Sequence, residues 1–295
     1  MLSIVISAYK EPGISKAIES ILSQKINESY ELIIIAPDKE TEKIVKSFQK
    51  QNKSIIYFKD QGKGKVNGLN EVFPACKGRV IILTDGDVYL GENSINSIIN
   101  AFKDKSIGCI SGRPVTLNQR TTMLGYWSHL LYDAAHKVRY GLSSNGKFLE
   151  ASGYLFAFLN DGTIKTLPPD VAEDSITPYY FYKKGYSIGY VPEAKVYVKN
   201  PTNTKDFIKQ RKRTNASHSK LSYYASDMPR VKTFWNEIRI GTFFALGYPM
   251  TFKEFVWTLA LFFIRLYAWL SMFLDSITPK KTVYRDDWER IESTK

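Results

Sequence analysis

Cysteine is scarce in this chain: Cys76 and Cys109 are the only two among 295 residues. Two thiols cannot build a disulfide scaffold and neither sits in a CxxC pair, so a reducing compartment is the simpler expectation. Histidine is nearly as rare. His129, His136 and His218 show no metal-ligand spacing, and no HExxH, zinc-type cysteine pattern or nucleophile elbow occurs. A basic stretch ahead of the first apolar run is missing too. Met1-Leu2-Ser3-Ile4-Val5-Ile6-Ser7 therefore reads as a strand and not as a signal peptide, and the bulk of the chain is expected in the cytoplasm. No internal repeat or low-complexity tract is present. Acidic residues are the minority sign: 29 Asp and Glu against 41 Lys and Arg leave a net charge of +12. That balance favours nucleic acid, phosphorylated small molecules or an anionic membrane surface, without choosing among them.

What is there is an ordinary globular composition, 44% hydrophobic and 24% charged. The length allows one large domain or two small ones. Short apolar runs at Leu2–Ser7, 31–36, Ile55–Phe58 and 79–83 read as buried strands. Between them, Ile14–Leu22, 41–51 and 66–76 carry helical spacing. This alternation predicts an α/β protein with a mostly parallel sheet flanked by helices. Ligands in such sheets bind at the carboxyl ends of the strands, which puts Ala8, Tyr9, Asp38, Asp85 and Asp87 on one rim. Beyond Gly91 the pattern loosens. Helices are expected at 94–102, 123–138 and 207–221, and strand-like residues at 107–111 and 148–159. Another helix is expected at 178–184, with Thr177 as N-cap and Pro178 in its first position.

Four segments could carry chemistry. Asp85-Gly86-Asp87 ends an apolar strand with two carboxylates, hard ligands suited to Mg²⁺ or Mn²⁺ beside a diphosphate; Asp-Gly-Asp is also good turn chemistry. Gly62-Lys63-Gly64-Lys65 suits phosphate at a helix start, or is a solvated basic turn. Glu173-Asp174 offers a general base, or simply acidic residues at a helix N-terminus. In Gln210-Arg211-Lys212-Arg213, Gln210 and Arg213 share a helix face on which Arg213 could grip phosphate; a surface charge run has the same composition.

Taken in order, these segments resemble the family 2 glycosyltransferases of the GT-A fold, especially the branch near cellulose and hyaluronan synthases. The matching pieces run from Ser3 to Thr214. Ala8-Tyr9-Lys10-Glu11 is similar to the family's Ala-Tyr-Asn-Glu nucleotide loop, with Lys10 in place of Asn. Asp38 matches the acidic residue that meets the base, and the segment from Gly64-Lys65 to Leu69-Asn70 matches the one lining the donor. Asp85-Gly86-Asp87 resembles the DxD motif, and Ser152-Gly153 the small-residue segment near the acceptor. Glu173-Asp174 resembles the ED motif, whose Asp is the base. Gln210-Arg211-Lys212-Arg213-Thr214 matches QxxRW with Thr214 in place of Trp. The resemblance implies an inverting hexosyltransferase. Asp85 and Asp87 would hold the metal, and Asp174 would be the catalytic base. Ala8, Tyr9, Glu11, Asp38, Lys65, Asn70, Asp85, Gln210 and Arg213 would meet the donor, most simply a UDP-sugar. Ser152, Gly153, Glu173 and Thr214 would lie toward a glycan or lipid-linked acceptor, as in polysaccharide or glycolipid synthesis. The catalytic domain is expected over 1–222 and a helical region over 223–295.

The segment 255–274 is almost wholly apolar, interrupted by Arg265 and flanked by Lys253 and Lys280-Lys281. It reads as a membrane span, a helix lying in the interface, or a helix pairing subunits in a homo-oligomer. Association with the cytoplasmic side of the cell membrane is the favoured expectation. Two other functions compete. A sugar nucleotidyltransferase would place a Gly-rich basic loop directly after the first strand, where Ala8-Tyr9-Lys10-Glu11-Pro12 stands. A nucleic-acid-binding protein draws support from the charge and the Arg/Lys helix, but an acidic rim repels phosphate unless metal intervenes.

Overall fold

A computed structural model describes residues 1–229, 241–277 and 292–294. Among the described residues, eight strands form one sheet. They are β1 (Leu2–Ser7), β2 (Tyr30–Ile35), β3 (Ile55–Phe58), β4 (Val80–Asp85), β5 (Val88–Leu90), β6 (Ile107–Thr116), β7 (Leu155–Leu159) and β8 (Ser187–Val198), in the order β3-β2-β1-β4-β7-β6-β8-β5. The pairs β1–β2, β1–β4, β2–β3 and β6–β8 are parallel, whereas β7 and β5 run against their neighbours. The expected mixed, mostly parallel sheet is therefore present.

The strands read as continuous apolar runs because both faces are covered. Leu2, Ile4, Ile6, Leu32, Ile34, Val80 and Ile82 point to one core, together with Ile14, Ile18 and Ile21 of α1 (Ile14–Leu22) and Ile95 and Ile98 of α4 (Ser94–Ala101). Val5, Ile33, Ile35, Ile81 and Leu83 point to the other. There they meet Val66, Leu69 and Val72 of α3 (Lys65–Val72), and Ile176 and Phe181 of α6 (Glu173–Lys183). Successive residues of β1 thus serve opposite cores, as the period of two requires. Helix α2 (Lys39–Gln49) starts at Asp38, whose side chain caps it.

Several boundaries differ from expectation. The helix expected at 66–76 stops at Val72 and passes into the 3-10 turn Phe73–Ala75, where Pro74 lacks the N–H to continue it. Strand β6 runs on to Thr116, and helix α5 (Met123–Ser144) on to Ser144. Within 148–159 only Leu155–Leu159 is strand. The largest difference is α6, which begins at Glu173, so Pro178 lies inside it and Thr177 is not its cap. In a regular helix the N–H of residue 178 would bond to the carbonyl of Asp174, and proline has no such N–H. The Ala151 N–H donates to that carbonyl instead, at 3.0 Å. A tertiary bond thus satisfies the group that the proline orphans.

The last helix, Phe252–Ile277, packs on α5 and on α7 (Thr204–Ser219). Its inward face mixes apolar residues, Leu261 and Ala268 among them, with polar anchors. The Arg120 guanidinium grips Glu254 through two bonds of 2.8 and 3.0 Å, the hydroxyls of Tyr126 and Thr258 are 2.6 Å apart, and Trp127 Nε1 donates to the Trp257 carbonyl at 2.6 Å. Its outward face carries Phe252, Val256, Leu259, Phe263, Leu266, Tyr267 and Leu270, all exposed, Phe252 to 81% and Phe263 to 72%. Among the described residues, no helix is long and apolar enough to cross a membrane. Lys280 and Lys281 lie outside the described residues.

Candidate active site

The rim is assembled by strand register. Ser7 stands level with Ile35 on one side and Asp85 on the other. Its hydroxyl donates to Asp85 Oδ1 at 2.9 Å, and its carbonyl accepts the Gly86 N–H at 2.9 Å. The loop Ala8-Tyr9-Lys10-Glu11 leaves β1 directly beside this pair. Lys10 adopts φ +48°, a left-handed conformation that Asn tolerates better than Lys. That geometry accounts for the Asn of the related motif. The Lys10 N–H donates to Asp38 Oδ2 at 2.8 Å, while the N–H and hydroxyl of Thr41 donate to the same carboxylate at 2.8 and 3.0 Å. Burial opposes the charge on Asp38, but these donors outweigh it and hold its carboxyl below the ordinary range. Asp38 therefore fastens the β1 loop to the start of α2. Glu11 is buried, and its Oε1 accepts the Gly13 N–H at 2.8 Å.

Asp85 and Asp87 straddle a glycine that packing requires. A Cβ on Gly86 would lie 2.9 Å from Ala8 Cβ and 2.9 Å from Ile14 Cδ1. Asp87 is exposed at the mouth of the cleft, yet the surrounding protein thins the water around its carboxyl. That desolvation, together with the negative charges of Asp85 and Glu11, pushes its pKa up to about 6, against the pull of Lys65. Two carboxylates one residue apart, of which Asp87 has no cation within ion-pair distance among the described residues, are a donor set that fits a hard divalent ion. Among the described residues there is no group of three or more His, Cys, Asp or Glu able to hold a metal. An ion at Asp85 and Asp87 would therefore complete its shell with water and substrate oxygens.

Lys65 opens α3, after Gly64 turns the chain at φ +103°. Its Nζ lies 2.7 Å from Asp85 Oδ1 and 2.6 Å from Glu173 Oε1. Burial opposes the charge on Lys65, but the two carboxylates hold its pKa well above the ordinary lysine value. One ammonium cannot neutralise two carboxylates, and burial with the adjacent Asp174 keeps Glu173 above its ordinary range. Asp174 is the one partly exposed residue between Val171 and Tyr179. Its Oδ2 accepts the Gly153 N–H at 3.0 Å, and the Ser152 N–H donates to Ser111 Oγ at 3.0 Å. A Cβ on Gly153 would sit 3.4 Å from Asp174 Oδ2.

The remaining predicted residues fall into two groups. Asn70 is engaged in fastening: its amide exchanges two bonds with the Leu167 backbone, at 2.8 and 2.7 Å, and so holds the loop that leads to α6. On α7, Gln210 is half-buried, Arg213 and Thr214 are exposed, and the Thr214 hydroxyl donates to the Gln210 carbonyl at 3.0 Å. Sequence reasoning missed Tyr154. It is held in place by its own carbonyl, which accepts the Thr84 hydroxyl at 2.8 Å. Burial raises its pKa; the charge of Asp87 adds to this, while Arg211 and Arg213 act the other way. Its hydroxyl bonds to Tyr132, which passes a hydrogen bond of 2.9 Å to Asn200 Oδ1. Tyr154 thus connects the end of β4 to the Asn200 corner that follows β8. Arg211, given no separate role within the basic segment, lies with its guanidinium 5.2 Å from the Phe207 ring, a pairing that the Phe207–Arg211 spacing of four allows. A separate cavity of about 430 Å³ between the 3-10 turn and β7 is lined by Phe73, Cys76, Ile81, Phe158 and Lys165. It contains no carboxylate and is not this site.

A Rossmann-like sheet with an acidic pair at the carboxyl end of β4 and a second acidic pair opposite it defines the GT-A class. The chain belongs to the glycosyltransferase like family 2, whose family model matches residues 1–216. Hyaluronan synthase of Streptococcus pyogenes serotype M1 is 24% identical over 225 residues, 71% of this chain and 54% of that protein. The chain thus spans about half the length of the curated relatives it matches. Among solved structures, the mannosyltransferase PcManGT from Pyrobaculum calidifontis, in complex with GDP-Man and Mn²⁺, aligns with a TM-score of 0.58. It shares 14% identity, over 97% of this chain and 84% of that one. S. aureus TarS aligns with a TM-score of 0.50 at 14% identity, over 86% of this chain and 44% of that one. These likenesses bear out the resemblance read from the sequence and the GT-A fold.

Proposed function

We propose that this chain is an inverting glycosyltransferase that moves a sugar from a nucleotide-sugar, most simply a UDP-sugar, to a hydroxyl of a glycan or lipid-linked acceptor. The observation that carries the reading is the facing of two carboxylate pairs, Asp85 with Asp87 and Glu173 with Asp174, joined through Lys65. Asp85 and Asp87 hold Mg²⁺ or Mn²⁺, with Asp87 the more direct ligand. The ion supplies charge neutralisation on the donor diphosphate. Ala8, Tyr9, Glu11 and Asp38 form the nucleoside side of the cleft, with Asp38 stiffening the loop. Asp174 takes the proton from the acceptor hydroxyl, whose oxygen attacks the anomeric carbon on the face opposite the leaving diphosphate. A single displacement inverts the centre. Arg213 and Gln210 offset the negative charge that grows on the leaving group. Ser152 and Gly153 line the acceptor side, where small residues leave room. A screen of nucleotide-sugars for turnover, with and without Mn²⁺, tests this and includes GDP-mannose, because PcManGT was solved with GDP-Man. Turnover of one donor only with the ion is the expected result. Pyrophosphorolysis instead would mean a nucleotidyltransferase, and no turnover of any donor would leave the reading without support.

The C-terminal region is read as a docking element for the cytoplasmic membrane face. A helix with Glu254 and Thr258 turned inward and Phe252, Val256, Leu259, Phe263 and Leu270 turned outward has its apolar stripe facing away from its own protein. An aromatic apolar face on a chain of net charge +12 suits an anionic lipid surface. Without detergent, the protein is expected to sediment with phosphatidylglycerol-containing vesicles. Replacing Leu259 and Phe263 by Ser should lower that partitioning about tenfold or more, since each buried apolar side chain is worth roughly 1.5–3 kcal/mol. Wild-type protein left in the supernatant refutes the lipid reading. A dimer abolished by the same substitutions would favour pairing of subunits through this helix.

A further inference from the structure

The position of Lys65 is unfavourable for helix formation. It is the first residue of α3, where the helix dipole disfavours a cation. Only 19% of its side chain is exposed, so the ammonium gives up most of its hydration. Both costs are met by two carboxylates from different parts of the chain. Asp85 comes from the end of β4, Glu173 from the first turn of α6, and their distances to Nζ are 2.7 and 2.6 Å. Asp85 is itself braced by the Ser7 hydroxyl at 2.9 Å.

The start of α6 is restrained by tertiary contacts more than by its own helix. No side chain caps it, because its N-cap is Ala172. Pro178 removes one hydrogen bond from its interior. The turn carrying Asp174 is held on one side by the 150–153 segment, through the Ala151 and Gly153 N–H groups and the Ser175 hydroxyl, which donates to Glu150 Oε2 at 2.6 Å, and on the other by the Lys65–Glu173 pair. Lys65 is the tie that runs from this turn to the donor side of the cleft.

We propose that Lys65 is a positioning residue that fixes the α6 turn bearing Asp174 against the Asp85 end of β4, so that the placement of the base depends on the donor half of the site. This rests on the reading of Asp174 as the base. It differs from a role in which Lys65 simply grips the donor phosphate or ribose. A donor contact sets donor affinity, whereas a positioning tie sets the rate of the bound complex.

The test compares Lys65→Met, Lys65→Arg and Glu173→Gln with the wild type in three measurements. Amide hydrogen exchange over 171–178 is followed in the ligand-free protein. Affinity for UDP with Mn²⁺ is measured by calorimetry. Steady-state kinetics use the donor found by the screen. Lys65→Met is expected to speed exchange over 171–178 by about tenfold or more. It should lower kcat by about tenfold or more, with donor affinity within about threefold. Lys65→Arg should recover part of both losses by restoring the cation. If Lys65→Met does not fold, Glu173→Gln removes the charge at the other end of the tie and should give the same pattern to a smaller degree. Exchange left unchanged, or donor affinity lost with kcat intact, overturns the proposal. The exchange measurement needs no substrate, so a wild-type protein without transferase activity would refute the functional reading while leaving this tie separately tested.

Discussion

Asp174→Asn is expected to reduce sugar transfer by about 10²-fold or more, the usual scale for loss of a general base, while donor binding stays near the wild-type level. The amide keeps the shape of the side chain and can still accept the Gly153 N–H, which now meets Asp174 Oδ2 at 3.0 Å. The carbonyl of residue 174 would go on accepting the Ala151 N–H, so the turn should keep its form. What is lost is the ability to take a proton. Single-turnover measurement with the screened donor, beside calorimetry of the same nucleotide, separates the two quantities. Near-normal transfer by this variant would remove Asp174 from the mechanism.

The second large effect is expected at Asp87. Asp87→Ala should abolish the dependence of donor binding on divalent ion, read as the difference between UDP titrations with Mn²⁺ and with chelator. The wild type should show a pH signature of the same group. Because the Asp87 carboxyl is pushed up to about 6, a falling pH protonates it well before an ordinary aspartate. Ion-dependent nucleotide binding is therefore expected to weaken as the pH falls through about 6, by up to tenfold per unit below it. The effect on stability has the opposite sign. Between the ordinary carboxylate range and about 6, the folded protein holds a proton that the unfolded chain has released. This group's contribution to stability thus falls as the pH rises through that window. Addition of Mn²⁺ should raise the melting temperature above pH 6 more than below it. An Asp87→Ala protein that still needs Mn²⁺ to bind UDP, or wild-type binding that is flat from pH 5 to 7, contradicts the assignment.

Much of the donor half was legible in advance. A strand buried on both faces must be apolar throughout, so Val80–Leu83 announced β4, and the change to Thr84-Asp85 marked the rim. Gly86 lies between the two carboxylates because its neighbours Ala8 and Ile14 leave no room for a Cβ. The other half was less legible. Pro178 suggested a helix start because proline is favoured in a first turn. It lies instead within α6, because the Ala151 N–H, distant in sequence, accepts the role that a helical N–H would have played toward the Asp174 carbonyl. Tyr154 was passed over because it carries no motif, and Arg211 was read only as one residue of the Gln210–Thr214 run; what each does depends on what surrounds it.

The last helix shows the same division. Its sequence is apolar on almost every side, which is why a span, an interfacial helix and a subunit contact were all open. The Arg120–Glu254 pair and the Tyr126–Thr258 hydroxyls choose the inward face and leave the apolar stripe outside. Local pattern alone determined the alternation of strands and helices and the carboxylate rim, because backbone periodicity and side-chain chemistry act over a few residues; the family was read from the resemblance of the ordered motifs. The meeting of Lys65 with both Asp85 and Glu173, the true start of α6 and the outward face of the last helix were decided by tertiary structure. Each depends on which distant groups share a buried space, and burial is what makes a charge or a carbonyl require a partner.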